Sequence, residues 1–559
     1  MSIRFPSHFS DDIGKHEDNI RAIMRNPLSN LPIVGKLFSE PTKARTYHGI
    51  DSVRRRASFF YYPLRAFFRA VATTQHAEIQ AIGVENIPPD GAVFLVGNHP
   101  NSYLDFLNLS VIVRHPIATA AKDTITNTPV AGKILRDYAL LVPVSRAQDK
   151  EESGVSEKDR QQANEQMVDE AVDLLVRGRL FNIYAEGRST DSRRLNKIKL
   201  GFMLLAIQAE KSFNFNLNLR IVPYGYFYDR INKFQSSVCV IFGKPFKIKN
   251  LIDLPADFLA RSEKDQLSFE KKLMMAGKER LQSDIERLII SIKDPKLVSL
   301  IDGITAIYVL SPGKYMGVFE NVREKYVLCK TVSETIQKAA EADAGKKKLD
   351  QLRVLLKGYQ TSFQKAGIPD ALVRREYTWS SVGFYLTAIV SGILLSPFIL
   401  YGYFANFIPR QTARLMRFYV INVKKRPQVD GDEQSILAAA GAAALTYPIA
   451  LVLFYKWMYG SGIAFLITFF ARSAYLKDLA PIVERFPGWI ALFFGCFMVY
   501  LMARLWRFSL FYGRRFKTGL HFLSDCVFEL FRHKRLRDLR MKRAELIDAV
   551  DFLIGDYYD

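Results

Sequence analysis

Between residues 77 and 250 the chain alternates short apolar runs with helical patterns, and that alternation limits the fold more than any other feature. AEIQAIGVENIP and AVFLVGN read as strands, FLNLSVIVRHP as a helix, and PIATAAKDTI as a short strand ending near Lys122. VAGKILRDYALLVPVSR reads as a helix and a strand, NEQMVDEAVDLLVRG as an amphipathic helix, and LFNIYAEGRST as a strand with a loop. LGFMLLAIQAE is helical again, and LRIVPYGYFY and SVCVIFGKPF complete the set as strands. This pattern predicts an α/β sheet with helices on its faces. Ligands of such sheets gather in loops beyond the strand ends. His99, Arg146 and Glu186 all fall in loops of that kind.

The stretch GAVFLVGNHPNSYLDF, residues 91–106, carries the first chemistry. A buried strand over 92–96 runs into a polar loop with Asn98, His99, Asn101 and Ser102, and Asp105 follows six residues after the histidine. A histidine held by a carboxylate is a general base for a hydroxyl nucleophile. The competing reading is a loop histidine beside a helix-start aspartate, and the rest of the chain decides between them.

At 559 residues the chain calls for two or more units. Its net charge of +22 fits nucleic acid, an anionic membrane surface or a polyanionic substrate. The 41 Phe and 26 Tyr, many in the C-terminal third among Lys and Arg, favour the membrane. The basic residues flank apolar stretches rather than forming one soluble patch, so no nucleic-acid partner is expected. Cys239, Cys329, Cys496 and Cys526 form no CxxC pair, which suggests neither a metal site nor a disulfide framework and points to a reducing compartment. The polar, mixed-charge beginning of the chain has no signal-peptide pattern. GxGxxG and GKS loops are absent, so a nucleotide-phosphate cradle of that type is not supported. The histidines His8, His16, His48, His76, His115, His521 and His533 lack polar neighbours like those of His99 and are assigned to packing or surface.

Residues 1–76 are read as an N-terminal region. It ends in the aromatic, basic run SFFYYPLRAFFRAVA, which is either an interfacial helix or a core helix of the soluble domain and is too short to cross a bilayer. Residues 77–250 form the α/β domain, and residues 251–377 a charged helical insert packing on it by default. Apolar helices fill residues 378–512, in stretches 381–407, 436–458, 462–470 and 489–505, and a basic tail at a lipid surface follows over 513–559. The first two stretches are long enough to span. The connection between them holds Arg410, Arg414, Arg417, Lys424, Lys425 and Arg426, and Arg374–Arg375 precede the first. The positive-inside rule puts both basic runs in the cytoplasm, which a full crossing by residues 381–407 forbids. Re-entrant or shallow helices, broken at Gly392 and Pro397 and at Gly441 and Pro448, resolve the conflict. Full spans with a basic outer loop are the alternative.

Four loops in order, NHPNSYLD (98–105), ILRDYALLVPVSR ending at Arg146, YAEGRSTDSRRLNKIKLG (184–201), and IVPYGYFYDRINKF (221–234) followed by VIFGKPF, resemble the motifs of the glycerophospholipid acyltransferase family. The resemblance covers roughly residues 77–250. The insert and apolar tail resemble the membrane-bound glycerol-3-phosphate/dihydroxyacetone-phosphate acyltransferases. Two departures stand out. Five residues separate His99 from Asp105 where the family usually has four, and YAEGRS stands where FPEG is usual. The loop before the helix must absorb the extra residue for Asp105 to reach the imidazole.

The resemblance implies an acyltransferase-type mixed sheet flanked by helices, with His99 as base and Asp105 orienting it. It implies direct transfer of a fatty acyl group from acyl-CoA or acyl carrier protein, as co-substrate, to the sn-1 hydroxyl of glycerol 3-phosphate, giving lysophosphatidate. No further cofactor and no metal are expected. Asn101, Ser102, Lys122, Arg146, Glu186, Gly187, Arg188, Ser189 and Lys199 are the expected substrate-binding set. Arginine suits forked phosphate contacts, lysine a point charge, and glycine lets backbone amides approach an anion. Lys197, Arg193 and Arg194 are read as solvated, and Pro223 as shaping a strand end. Lysophosphatidate or dihydroxyacetone phosphate as acceptor, and a non-enzymatic membrane scaffold, are the alternatives. Membrane lipid is the expected environment, with the catalytic domain on the cytoplasmic face.

Overall fold

A computed structural model describes residues 59–122, 126, 131–144, 157–190, 194–231, 234–253, 255, 258–308, 322–366, 373, 379–425, 428–472 and 477–557. The chain divides into two compact units, Met1–Ser291 and Ile292–Asp559.

The first unit runs α1 (Tyr61–Gln75), β1 (His76–Ile82), β2 (Val93–Gly97), α2 (Tyr103–Ile112), β3 (Ile117–Lys122), α3 (Ala131–Asp137), β4 (Leu141–Val144) and α4 (Glu157–Val176). It continues with β5 (Leu180–Tyr184), α5 (Gly201–Lys211), β6 (Arg220–Tyr228), β7 (Ser236–Phe242), β8 (Phe246–Lys247) and α6 (Glu263–Leu288). The strands form one mixed sheet in the order β1-β7-β6-β2-β5-β3-β4, with β8 on β6. Strands β6, β2, β5, β3 and β4 run parallel, while β7 and β8 run against β6, and β1 runs with β7. All five residues of β2, VFLVG, are buried, as a strand covered on both faces requires. Phe94, Phe181, Phe202, Met203 and Leu175 pack on one side, and α6 adds Leu273, Leu281 and Ile285 to the same core. Burying each large apolar side chain stabilises by roughly 1.5–3 kcal/mol.

Helix α1 is packed rather than free. Tyr61, Phe68 and Ala72 are buried, and Arg65 donates to the carbonyls of Ser110, Val113 and Arg114, the otherwise unpaired acceptors at the end of α2. Of the two readings of this run, its inner face follows the core-helix one, while Phe60 and Phe67 stay exposed on the outer face.

The second unit begins with α7 (Pro295–Tyr308), α8 (Val322–Glu341) and α9 (Asp343–Ala366). Next come α10 (Trp379–Leu394), α11 (Ser396–Ala405), α12 (Phe407–Phe418), α13 (Gln428–Trp457), α14 (Ile463–Arg472), α15 (Ala480–Arg485) and α16 (Pro487–Tyr557). The division at Ser291 therefore falls inside residues 251–377. Helix α6 packs on the sheet, whereas Tyr359, Ala366 and Val373 form a core with Leu536 and Leu539 of α16. Residues 513–557 continue α16 without interruption. Two segments, Gln434–Arg472 and Pro487–Lys517, are long and apolar enough to cross a membrane. The first joins the second and third apolar stretches through a wide turn at Met458–Gly462. The expected break at Gly441 and Pro448 does not occur, because the helix continues through Pro448. An apolar helix tolerates one missing N–H when local carbonyls find other partners. The first apolar stretch does break, with Tyr385–Leu394 and Ser396–Ala405 bent by 67°.

His76, assigned to packing from sequence, is 2 % exposed. Its Nε2 accepts from Asn108 Nδ2 at 3.2 Å, and its Nδ1 lies 3.3 Å from Ser236 Oγ. Burial holds its pKa down to about 4, so the folded chain keeps this imidazole neutral where the unfolded chain protonates it. The stability this confers is full above the unfolded value near 6.5 and is lost as pH falls from there toward 4. Hydrogen exchange of peptides from residues 76–242 should therefore quicken over that window. His76→Gln should flatten the acid-side loss, and an unchanged slope would contradict the assignment.

Candidate active site

The parallel strands end together at one edge of the sheet. Gly97, the last residue of β2, lies opposite Tyr184 of β5 and Tyr224 of β6. It has to be glycine, since an added Cβ would sit 2.4 Å from the Tyr224 ring. The loops leaving β2 and β5 are laced together. Ala185 N donates to Gly97 O at 3.1 Å and Thr190 N to His99 O at 3.0 Å. His99 N donates to Glu186 Oε1, and Ser102 N to Ser189 Oγ, each at 2.8 Å.

His99 Nδ1 lies 2.9 Å from Asp105 Oδ2. The loop takes up the fifth intervening residue at Ser102, which adopts φ 50°, ψ −138° directly before α2. That left-handed backbone is costly for a residue with a side chain. The Ser102–Ser189 bond helps to hold it. Asp105 is fully buried and still collects donors: Asn101 N at 2.8 Å on Oδ2, and the Tyr228 hydroxyl at 2.6 Å on Oδ1. Its backbone carbonyl accepts from the Tyr226 hydroxyl, also at 2.6 Å. Burial raises the Asp105 carboxyl above the usual carboxylate range, and the bonds from His99, Tyr228 and Asn101 oppose that rise. The imidazole stacks on Tyr184, with centroids 3.9 Å apart and planes 10° from parallel. With Nδ1 engaged and the side chain 11 % exposed, Nε2 is the ring atom left to meet a ligand. An imidazole fixed at one nitrogen and open at the other has the form of a general base.

The other expected residues fall as follows. Asn101, Ser102, Glu186, Gly187, Ser189 and Lys199 share the two laced loops with His99. Glu186 is 4 % exposed, and its second oxygen accepts from Asn196 N at 3.0 Å and Asn196 Nδ2 at 2.6 Å. Both of its oxygens thus bind the protein. Gly187 has φ 69°, and the Lys199 side chain crosses the space a Cβ would fill, with Nζ 2.9 Å from that point. Arg188 and Lys199 are exposed. Lys122 ends β3, which lies beyond β5 from β2, about 10 Å to the side at two strand spacings. Arg146 lies outside the described residues. Among the described residues, no His, Cys, Asp and Glu side chains cluster in a way that could hold a metal ion.

Sequence reasoning missed the tyrosines. Tyr224, Tyr226 and Tyr228 alternate along β6 and so share one face. Their hydroxyls reach Asn182 Oδ1, the Asp105 carbonyl and the Asp105 carboxylate. Three tyrosines at period two in an otherwise apolar strand are a readable sign of a polar buried face. Asn98, whose Oδ1 accepts from Tyr226 N at 2.9 Å, ties the same face to the loop.

Residues 78–226 match the acyltransferase family model. No curated protein matches the chain. Among solved structures, the 1-acyl-sn-glycerophosphate (LPA) acyltransferase PlsC from Thermotoga maritima is similar over 40 % of this chain and 80 % of that one, at 18 % identity and a TM-score of 0.27. The matched residues hold β2, both laced loops and the tyrosine face of β6 as far as Tyr226, and they make this part of the chain an acyltransferase domain.

Proposed function

We propose that the protein transfers a fatty acyl group from acyl-CoA or acyl carrier protein to the sn-1 hydroxyl of glycerol 3-phosphate, forming lysophosphatidate. The observation that carries this reading is the imidazole of His99 pinned by a buried carboxylate at the sheet edge, with cations on the neighbouring loop. An alcohol is a weak nucleophile at neutral pH. His99 Nε2 takes the hydroxyl proton as the oxygen attacks the thioester carbonyl, and Asp105 stabilises the imidazolium that forms. The tetrahedral oxyanion then collapses, the carbon–sulfur bond breaks, and the imidazolium returns the proton to the departing thiolate. No covalent acyl-enzyme is required.

Arg188 and Lys199 supply positive charge for the phosphate dianion, joined by Lys122 at the end of β3. Gly187 brings the backbone and Lys199 close together at that point. Glu186 acts through the protein in this reading, holding the backbone of His99 against the second loop. Tyr228 is a positioning residue. Its hydroxyl stabilises the dyad when Asp105 is ionised and His99 neutral, the state that carries an uncompensated buried charge.

Three measurements follow. His99→Ala should lower acyl transfer by ~10²–10⁴-fold, with the protein still in the membrane fraction. Wild-type enzyme given glycerol 3-phosphate, dihydroxyacetone phosphate or lysophosphatidate separately should turn over the first best, and turnover of lysophosphatidate alone would defeat the first-step reading. Tyr228→Phe removes a bond that favours the ionised carboxylate. It should therefore move the acidic limb of the kcat–pH profile to higher pH and lower kcat by about tenfold. A loss of activity with an unmoved limb would mean that Tyr228 only supports the fold.

A further inference from the structure

The path of the first apolar stretch can be followed against its neighbours. Tyr385 stacks on Phe522 of α16 at 4.5 Å, and Gly392 packs against Phe516. Phe398 O accepts from Ser509 Oγ at 3.3 Å, and Asn406 Nδ2 donates to Met502 O at 3.1 Å. From residue 385 to 406 the chain thus moves along α16 from 522 to 502, about 30 Å at 1.5 Å per residue. Asn406 is buried and accepts from the Tyr447 hydroxyl at 2.6 Å. There the direction reverses. Helix α13 runs against α16, with Tyr447 near the level of Met502, Leu451 at Gly495 and Tyr455 near Gly488. Ile421 and the Arg417 carbonyl lie against Gly431, sixteen residues before Tyr447 on α13. Helix α12 has therefore climbed back about 24 Å, on the side from which the chain came.

The returning arm carries three faces. Pro409 and Val420 are buried. Ile408, Leu415, Phe418, Tyr419 and Val423 form an exposed apolar arc. Arg410, Arg414 and Arg417 recur at helical spacing on another arc, followed by Lys424. An apolar arc beside a basic one is the composition of a helix lying at an anionic lipid surface. Charge agrees with this placement. The loop between the two spanning segments balances Lys477 and Arg485 against Asp478 and Glu484, whereas Arg410, Arg414, Arg417, Lys424 and Lys425 precede the first spanning segment with no acidic residue among them.

We propose that residues 379–423 form a hairpin that enters and leaves one leaflet with its tip at Asn406, and that its α12 arm is a docking surface for anionic lipid. Only α13–α14 and the first part of α16 then cross the bilayer. This puts the two described ends of the first apolar stretch, at Trp379 and Lys424, on one face, as the basic residues flanking it in the sequence require.

The test uses the full chain in vesicles, with single cysteines placed at Ser380, Lys425, Leu479 or Gly555 after replacement of the four native ones. An impermeant thiol reagent should label 380, 425 and 555 from one side and 479 from the other. Labelling of 425 from the side of 479 would overturn the hairpin. A protease site inserted at Lys425 in the chain with its native cysteines gives the same decision if the cysteine-free form misfolds. For the lipid surface, a spin label at Leu415 should sit deeper with phosphatidylglycerol present than in pure phosphatidylcholine. Replacing Arg410, Arg414 and Arg417 with Gln should remove that difference, and equal depth in both lipids for the unsubstituted arm would overturn the docking surface.

Discussion

The buried carboxylate of Asp105 is the constraint on which the site depends. A charged group without solvent is costly unless donors surround it. Here three donors come from two places: the His99 ring and the Asn101 amide from the preceding loop, and the Tyr228 hydroxyl from β6. Each of these has to be held in turn. Glu186 holds the backbone of His99, Ser189 holds Ser102, and Asn108 joins Tyr228 to the neutral His76 at the start of β1. The polar interior of the sheet is therefore a connected network, and it is continuous with the imidazole at the edge. Connected polar networks favour a single geometry, although the Oδ1 of Asn108 and the Nδ2 of Asn182 have no partner in this one among the described residues.

That network explains why the five-residue spacing works. The additional residue is absorbed by one unusual backbone conformation at Ser102 rather than by moving the helix, so the carboxylate keeps its distance to the ring. The strain falls where two loops cross and are bonded to each other, at the sheet edge that carries His99. A strained residue persists only where its surroundings over-determine it.

The local features were legible in the sequence because they are written in consecutive residues. The apolar run of β2, the loop with His99, the carboxylate six residues on, and the glycine after Glu186 all declare themselves in short windows. Many of their partners did not, because those arrive from 80 to 130 positions away. Nothing near Asp105 names Tyr228, and nothing near Glu186 says that one of its oxygens holds the backbone of His99. Periodicity also could not divide the helical insert. Helix α6 and helices α8 and α9 are all densely charged, yet the first belongs to the sheet core and the others to the second unit. In the apolar region, proline was read as a break in two places and is one in only the first. Near Pro397 the chain bends by 67°, whereas α13 passes through Pro448 unbroken.

The central claim is that the Asp105 carboxylate makes His99 a base. The most direct measurement is the turnover number of Asp105→Asn, with thioester and glycerol 3-phosphate both saturating and the protein shown to be folded by its hydrogen-exchange pattern. The substitution keeps the shape of the side chain and removes its charge. The account predicts that kcat falls by at least ~100-fold, as expected when a placed base loses its orientation and its counter-charge. Turnover within a few-fold of the unsubstituted protein would contradict it.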